Sequence, residues 1–185
     1  MSESGFVLWL TGLSAAGKST IAGLVARDLD ARGVLVDRLD GDVVRTHLTK
    51  GLGFSKEDRD TNIERIGWVA SRLARAGAGV VVSVISPYEQ ARQRARALVE
   101  EQGTFIEVHV ATSLAECERR DPKGLYAKAH AGEISDFTGV SDPYEIPSDP
   151  EIHLNTEGRT PEECVAIVVG KLEELGLIGE REAVV

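Results

Sequence analysis

Cysteine is scarce in this chain, which has two, Cys117 and Cys164, among its 185 residues. Two cysteines are too few for a disulfide framework, and their wide separation does not match the Cys-x-x-Cys spacing of a metal site. Disulfides accumulate in oxidising compartments, so we interpret both residues as reduced thiols. The scarcity of cysteine therefore favours a cytoplasmic protein.

Basic residues are also in the minority. Lysine and arginine together number 21 against 30 aspartates and glutamates, which gives a formal net charge of −9. Proteins that coat nucleic acids carry a basic excess, so this balance predicts no nucleic-acid partner. Small anionic ligands stay open, because backbone N–H groups at a helix N-terminus bind an anion locally whatever the net charge.

Long apolar runs are missing as well. No stretch approaches the ~20 consecutive apolar residues of a membrane-spanning helix, so we expect no membrane association. Residues 1–4 lack the basic and then apolar pattern of a secretory signal peptide. A chain of 185 residues matches one domain of about 100–200 residues, and we predict a single domain over 1–185.

Strand-like and helix-like segments alternate along the chain. Apolar and β-branched runs predict five strands, at 6–10, 34–39, 80–85, 105–110 and 151–154. Helical patterns lie between them, and several open on capping residues such as Ser55, Ser113 and Thr160. The alternation predicts an α/β three-layer fold, in which a five-stranded parallel sheet carries helices on both faces.

Segment 121–150 departs from this alternation. Four of the six prolines fall within it, and its glycines stand among charged residues. We predict that this segment is a mobile lid and not part of the core. In open parallel sheets ligands bind at the carboxyl ends of the strands, so polar residues that follow different strands can converge on one crevice.

A phosphate-binding motif directly follows the first predicted strand. Residues 12–19 read GLSAAGKS and fit the pattern GxxxxGK[ST]. Gly12 and Gly17 allow the tight turn that points backbone N–H groups at phosphate oxygens. Lys18 would reach the β- and γ-phosphates of a nucleotide, and Ser19 would hold Mg²⁺. The alternative is an ordinary glycine-rich turn between a strand and a helix.

Two aspartates, Asp40 and Asp42, follow the second predicted strand. This position suits a small-molecule kinase, because one carboxylate can accept the proton of an acceptor hydroxyl and the other can order the Mg²⁺ shell. The alternative is that both are only turn and cap residues around Gly41. The base-reading motif of switch GTPases is not obvious in the chain, and strand 80–85 does not end in the acidic residue usual in motor-type ATPases.

Three hydrogen-bond donors, Arg59, Asn62 and Arg65, are spaced by three residues on a predicted helix. Side chains at i and i+3 are neighbours on a helix, so these can present donors side by side to an anion, with Arg45 as a fourth. The alternative is a set of solvated charges paired with nearby acidic residues.

Two phenylalanines, Phe54 and Phe137, lie outside the strand and helix patterns. Each can stack on a nucleotide base, and packing beneath a loop is the alternative for both. We expect the run Arg92, Arg94 and Arg96 to form a solvated helix face. The four histidines show no spacing typical of a metal site.

Several longer motifs occur in a fixed order, namely GLSAAGKS, LDGDVVR, LGFSKEDRDTNIERIG, SVISPY, FIEVHV, DPKGLY, and GEISDFTGVSDPYEIP before EIHLN. Through them the chain resembles the adenylylsulfate kinases over nearly its whole length. The resemblance implies a P-loop kinase-type fold and transfer of the γ-phosphate of ATP, with Mg²⁺, to the 3′-hydroxyl of adenosine 5′-phosphosulfate, here called adenylylsulfate. The products would be ADP and 3′-phosphoadenosine 5′-phosphosulfate.

The resemblance also assigns roles to residues. Asp42 would lie near the attacking hydroxyl, and Ser86 matches a serine that the family picture proposes as a phosphorylated intermediate. Direct transfer from ATP, with Ser86 as a ligand, is the simpler route. The implied catalytic residues are Lys18, Asp42 and Ser86, and the implied metal-binding residues are Ser19, Asp40 and Asp42. The implied ATP-binding residues are Gly12, Leu13, Ser14, Ala15, Ala16, Gly17, Lys18, Ser19, Thr20 and Arg120. The implied substrate-binding residues are Asp40, Asp42, Arg45, Phe54, Arg59, Asn62, Arg65, Ser86, Pro87, Tyr88, Lys123, Gly124, Leu125 and Phe137.

Some positions depart from the family pattern. Ala15 replaces a glycine common in the loop, and Val43 replaces a usual asparagine. Other departures are Glu64, Ala127 and His130, where basic residues are frequent, and Asp136, which makes the lid more acidic. They keep two alternatives open, a kinase for another small acceptor and a non-catalytic nucleotide-binding regulatory module. Candidate protein partners are a second copy of the chain, in a homodimer, and a sulfate adenylyltransferase.

Overall fold

Five parallel strands form one sheet in the computed structural model, which describes residues 5–179. The strands are β1 (Phe6–Thr11), β2 (Val36–Asp40), β3 (Gly79–Ser83), β4 (Thr104–Val110) and β5 (Ile152–Leu154). Their order across the sheet is β2-β3-β1-β4-β5, so β1 is central. The predicted five-stranded parallel sheet is confirmed.

Helices connect the strands, as parallel neighbours require. They are α1 (Lys18–Ala31), α2 (Gly41–His47), α3 (Lys56–Arg75), α4 (Glu89–Glu100), α5 (Leu114–Arg120), α6 (Leu125–His130) and α7 (Pro161–Glu174). Ser55, Ser113 and Thr160 each accept a hydrogen bond from the backbone N–H three residues later, as their capping patterns predict. Helix α2 has no counterpart in the sequence prediction. None of the helices described within residues 5–179 is long and apolar enough to cross a membrane.

Alternate residues of β1 face two separate cores. Leu8 and Leu10 pack in one core with α1 and α7, whereas Val7 and Trp9 pack in the other with α3 and α4. A strand covered on both faces reads as a continuous apolar run, which explains why β1 shows no alternation in its sequence. The helices therefore lie on both faces of the sheet, as predicted, and the carboxyl ends of the strands meet at one edge.

Residues 121–150, here called the lid, fold as an excursion between α5 and β5 that includes α6. The expectation that this segment lies outside the core is wrong for Tyr126, which is 2% exposed and packs in the same core as Leu8 and Leu10. The lid is tied to the strand ends. The Tyr88 hydroxyl donates to the carboxylate of Asp142 at 2.9 Å, and the Glu145 N–H donates to the carbonyl of Pro87 at 2.8 Å. The lid therefore approaches the edge at which the sequence places its candidate site.

The expected solvated arginine face on α4 is wrong for two of its three members. Arg92 is 1% exposed and the Arg96 side chain is 16% exposed, whereas the Arg94 side chain is 41% exposed. Arg92 and Arg96 are four residues apart, so they share the sheet-facing side of the helix, and Arg94 falls on the other side. Alternation in sequence does not place side chains on one face of a helix.

Candidate active site

The phosphate loop, residues 12–19, joins β1 to α1 and depends on its two end glycines. A Cβ at Gly12 would lie 2.7 Å from the carbonyl oxygen of Val110, so no side chain fits there. Gly17 has φ 105° and precedes α1, in a backbone region that favours glycine. Ala15 has φ 61°, a left-handed conformation that costs an alanine about 1 kcal/mol. The loop thus folds as the motif predicts, with mild strain at its one departure.

Lys18 lies inside this loop and is only 8% exposed. Its Nζ donates to the carbonyl of Gly12 at 2.9 Å and to the carbonyl of Leu13 at 2.6 Å. Burial lowers the pKa of Lys18 to about 8, because it outweighs the opposing charges of Asp40 and Asp42. The ammonium is therefore held at the loop interior, where it would meet nucleotide phosphates.

Asp40 gathers three hydrogen-bond donors at the end of β2. Its Oδ2 accepts from Ser19 Oγ at 2.7 Å and from Ser83 Oγ at 2.8 Å, and its Oδ1 accepts from the Asp42 N–H at 3.1 Å. Burial alone would raise the pKa of Asp40, but these hydrogen bonds outweigh it and hold the pKa below its ordinary value. Asp40 therefore stays ionised beside Ser19, which places two oxygen groups next to the phosphate loop.

Asp42 lies in the first turn of α2, and its side chain is 77% exposed. Its carboxylate forms an ion pair with Lys123, which comes from the lid. Next to Lys123, Gly124 (φ 65°) precedes α6, and the Leu125 N–H donates to Asp121 Oδ1 at 2.8 Å. The DPKGLY motif thus turns the lid so that its lysine reaches the acidic pair.

Ser86 follows β3 and is buried at the same edge of the sheet. Its Oγ accepts a hydrogen bond from the indole Nε1 of Trp9 at 3.1 Å, and its φ of 41° lies in the left-handed region. Pro87 and Tyr88 continue the loop and bind the lid, and burial with the Asp142 carboxylate raises the pKa of Tyr88 to about 12. The tyrosine keeps its proton, so the link to the lid persists at neutral pH.

The opposite wall combines two arginines and Phe54. Arg45 Nη1 donates to the Gly53 carbonyl at 3.0 Å, and its guanidinium carbon lies 4.3 Å from the centre of the Phe54 ring. Arg59 Nε donates to the Phe54 carbonyl at 2.8 Å. Burial, with the nearby charge of Arg59, lowers the pKa of Arg45. The guanidinium carbon of Arg59 also lies over the Phe54 ring, 5.5 Å from its centre, and Phe54 is 55% exposed, so part of the ring is accessible to a ligand.

Arg59 also joins this wall to the lid. It is buried, and its Nη2 donates to the carbonyl of Asp136, the residue before Phe137. The Phe137 ring packs edge-on against Tyr126, with 5.0 Å between ring centroids, and Tyr126 in turn donates from its hydroxyl to Ser14 of the phosphate loop at 3.0 Å. Arg59 therefore brings together the backbone of the segments that carry the two candidate stacking residues.

Asn62 and Arg65 separate along α3. Asn62 is buried, and its Oδ1 accepts from Thr49 Oγ1 at 2.7 Å. Arg65 is exposed and lines an outer cavity of about 360 Å³ with Trp68. A step of three residues turns about 60° short of a full helical turn, so six residues carry a side chain well away from Arg59. The structure brings Arg59 and Asn62 to the wall and leaves Arg65 outside it.

The remaining residues predicted to bind ATP are Thr20 in α1 and Arg120 in α5. Thr20 is exposed in the first turn of α1. Arg120 at the end of α5 is paired with Glu116 at 2.7 Å, and its Nη1 lies 3.5 Å from the carbonyl of Ala16. Arg120 thus contacts the backbone of the phosphate loop.

Sequence reasoning missed several residues that support the site. The Tyr144 hydroxyl lies 3.0 Å from Thr11 Oγ1, and Arg92 donates to the carbonyls of Ser86 and Glu145 at 2.7 Å each. Thr11 and Tyr144 are separated by 133 positions, so no local spacing could have signalled their contact.

Comparisons with known proteins identify one family that the chain resembles over nearly its whole length. The sequence model of a family described as adenylylsulphate kinase matches residues 4–155. The adenylyl-sulfate kinase of Microcystis aeruginosa is 54% identical over 184 residues, covering all of both chains. A probable bifunctional SAT/APS kinase 2 of Sorangium cellulosum is 53% identical over 98% of this chain, which spans 31% of that longer protein.

A solved structure agrees with these sequences. The APS kinase CysC of Mycobacterium tuberculosis, determined in complex with AMPPNP and APS, superposes with a TM-score of 0.90 and 45% sequence identity. The match covers 92% of this chain and 99% of that one. The likeness therefore extends over almost the whole fold.

Proposed function

The chain belongs to the adenylylsulphate kinase family, and we propose on that premise that its site divides into an ATP half and an acceptor half. The protein is an ATP-dependent kinase that phosphorylates adenylylsulfate. The residues that perform the reaction are our own assignment. The observation that supports it best is the convergence of Lys18, the Asp40–Asp42 pair and the lid residue Lys123 at one edge of the sheet.

Phosphoryl transfer needs a positioned acceptor and stabilised charge. The 3′-oxygen of adenylylsulfate forms a bond to the γ-phosphorus of ATP, and the bond from that phosphorus to the β,γ-bridging oxygen breaks, which releases ADP. Asp42 accepts the proton of the 3′-hydroxyl. Lys18 and the N–H groups of the phosphate loop stabilise negative charge on the transferred group and on ADP.

Mg²⁺ fits the oxygen groups at the junction of the two halves. The Ser19 hydroxyl and the ionised Asp40 are adjacent, and Asp42 follows, so hard oxygen donors stand where a magnesium–nucleotide complex would bind. Ser19, Asp40 and Asp42 would hold the ion, directly or through water. Bound Mg²⁺ would neutralise phosphate charge and orient the phosphate chain.

The acceptor half recognises a nucleotide that carries two linked anionic groups. Arg45, Arg59 and Asn62 supply donors from α2 and α3, and Lys123 adds positive charge from the lid. Phe54 offers an exposed ring surface for the adenine, whereas the Phe137 ring packs against Tyr126 of the lid. Arg65 joins the acceptor half only if its side chain swings inward, because it lines an outer cavity.

Ser86 acts in this account as a ligand and not as a phosphorylated intermediate. Its hydroxyl oxygen is buried and already accepts a hydrogen bond from Trp9, which supports a fixed polar contact. Direct in-line transfer also needs one chemical step fewer. Two neighbours, Pro87 and Tyr88, anchor the lid near the same place.

The departures from the family pattern leave this machinery in place. Val43, which replaces a usual asparagine, is exposed on α2, and its side chain offers no amide to the acceptor. Asp136 contacts Arg59 through its backbone carbonyl, a contact that any residue can supply.

Coupling to a sulfate adenylyltransferase is supported by the bifunctional Sorangium relative. A homodimer and a cytoplasmic location stay predictions.

Product formation tests the assignment. Purified protein with ATP, Mg²⁺ and adenylylsulfate should release ADP and the 3′-phosphorylated nucleotide in equal amounts. The 3′-deoxy analogue of adenylylsulfate is the matched control, because it keeps every binding group and lacks the attacking oxygen. It should inhibit without ADP release. Absence of turnover with adenylylsulfate would refute the proposed function.

A further inference from the structure

Arg92 of α4 is a buried cation that contacts the edge of the site and has no assigned role in the proposed reaction. Its side chain is 1% exposed. A buried guanidinium is costly unless every donor has a partner. Its partners therefore indicate what the residue is for.

The donors of Arg92 are directed at two backbone segments. Nη1 donates to the carbonyl of Ser86 at 2.7 Å, and Nη2 donates to the carbonyl of Glu145 at 2.7 Å and to the carboxylate of Glu89. Nε lies 2.9 Å from Oε1 of Glu107 without the angle of a hydrogen bond, so that contact is an electrostatic one. One side chain thus joins the loop after β3, the end of the lid, its own helix and β4.

The two segments joined by Arg92 are the loop after β3 and the end of the lid, and both belong to the proposed acceptor half. Ser86 has φ 41°, a strained conformation that persists only where the surroundings hold it. Glu145 lies near the end of the lid, where its N–H donates to the carbonyl of Pro87. Its Oε2 accepts a hydrogen bond from the Glu89 N–H at 2.6 Å. Arg92 therefore ties the backbone of the loop to the backbone of the lid, in addition to the Tyr88–Asp142 hydrogen bond.

We propose that Arg92 is a positioning residue for the acceptor half, holding residues 86–88 and the end of the lid in the geometry that phosphoryl transfer to adenylylsulfate requires. This inference rests on the proposed function. Lysine cannot replace arginine here, because the role needs several donors in a rigid plane aimed at separate carbonyls. Among the described residues, Arg92 has no hydrogen bond to the phosphate loop. The ATP half should therefore be insensitive to its loss.

Kinetics with a matched control test this division. Arg92→Lys should lower kcat with adenylylsulfate at least ~10-fold and raise its KM, because small misplacements of the reacting groups are costly. Affinity for a non-hydrolysable ATP analogue should stay within about 3-fold of the parent value. Arg94→Gln is the control, since Arg94 lies on the same helix, is partly exposed and pairs with Asp60 at 2.9 Å. It should behave as the parent protein.

A spectroscopic readout makes the test independent of turnover. The chain has two tryptophans, so Trp68→Phe leaves Trp9 as the only one. Trp9 is fully buried and donates to Ser86, so its fluorescence should resist quenching by acrylamide. In the Trp68→Phe background, Arg92→Lys should increase that quenching several-fold if the loop is released, and Arg94→Gln should not.

A double variant guards against unfolding caused by an unpaired buried charge. Arg92→Gln/Glu107→Gln removes both charges and keeps the fold more readily than a single change. It should show the same acceptor defect and the same exposure of Trp9.

The outcomes separate the two claims. The proposal is overturned if Arg92→Lys keeps parental acceptor kinetics and Trp9 quenching, if ATP binding declines in parallel with acceptor binding, or if the double variant fails to fold. Absence of turnover by the parent protein would instead refute the proposed function, and the Trp9 result would still decide whether Arg92 holds the loop.

Discussion

The phosphate loop and the acceptor wall, which is formed by Arg45, Phe54 and Arg59, are stabilised by different kinds of contact. Lys18 is 8% exposed and bonds to carbonyls five and six residues away. Phe54 is 55% exposed, and Arg59 beside it reaches a lid carbonyl 77 residues away. The phosphate loop is one contiguous stretch of sequence, although Arg120 and Tyr126 also contact it, whereas the acceptor half is assembled from α2, α3 and the lid.

This difference indicates where recognition of each ligand is encoded. A contiguous motif shapes the phosphate loop with its own backbone, so it forms in many proteins that share little else. The acceptor wall depends on long-range contacts, and those contacts carry the specificity. Substitutions in the two halves should therefore have separable effects.

The largest effects should come from one charged group in each half. Lys18→Ala and Asp42→Ala should each lower turnover at least ~10²-fold, because each removes a charge-stabilising or proton-accepting group. Lys18→Ala should also weaken binding of an ATP analogue measured without Mg²⁺, whereas Asp42→Ala should leave that affinity within a few-fold of the parent value. Calorimetric titration beside steady-state rates distinguishes them. Near-normal turnover in both variants would refute these roles, and Asp37→Ala, an exposed neighbour, is the control.

A smaller effect should follow from loss of the exposed ring in the acceptor wall. Phe54→Ala should raise the KM for adenylylsulfate about 10-fold, since stacking on a base contributes about 1–3 kcal/mol. The melting temperature should hardly change, because the ring is already exposed. Trp68→Ala removes an equally exposed aromatic, 56% against 55%, from the outer side of α3. Equal KM values in the two variants would show that Phe54 does not contact the base.

The pH dependence of ATP use should distinguish the ATP half from the acceptor half. Burial lowers the pKa of Lys18 to about 8, so its ammonium loses a proton as pH rises through that value. The ratio kcat/KM for ATP reports the free enzyme and should fall ~10-fold per pH unit above about 8. The unfolded chain keeps this proton up to its ordinary pKa, so Lys18 alone makes the protein more stable over the same rise in pH. Lys18→Met should show a low, flat profile, and a parental profile flat to pH 10 would contradict the assignment.

The smallest effect should be that of the strained alanine in the ATP half. Ala15→Gly relieves a left-handed alanine but adds freedom to the unfolded chain, so the net gain in unfolding free energy should be below ~1 kcal/mol. ATP affinity should change less than about 3-fold. Ala16→Gly, at a position without positive φ, should destabilise instead, and thermal melts compare the two. A larger loss in Ala15→Gly than in Ala16→Gly would show that Ala15 is not strained.

Sequence patterns predicted those parts of the fold that local chemistry determines. The glycines of the phosphate loop, the capping box at Thr160 and the apolar runs of the sheet all have local causes, and the structure confirms them. Helix α2 escaped prediction because it is only seven residues long and begins with glycine, even though Asp40 caps it. Short helices depend on packing more than on propensity.

The supporting residues of the site could not be predicted for a different reason. Arg92 belongs to a charged run that is typical of a solvated face, and only its position against the sheet explains its burial. The lid is tied down by pairs such as Tyr88 and Asp142, which are 54 positions apart. Such pairs leave no trace in local spacing, so the structure was needed to find them.

Dependence of ADP release on the acceptor tests the central claim most directly. With ATP and Mg²⁺ fixed, initial rates would be compared for adenylylsulfate, AMP, adenosine and no acceptor, in the parent protein and in Phe54→Ala. We expect ADP release that depends strongly on adenylylsulfate, with weak responses to the others and reduced preference in the variant. Equal rates with every acceptor, or a preference that Phe54→Ala does not alter, would contradict the claim that the acceptor wall selects this nucleotide.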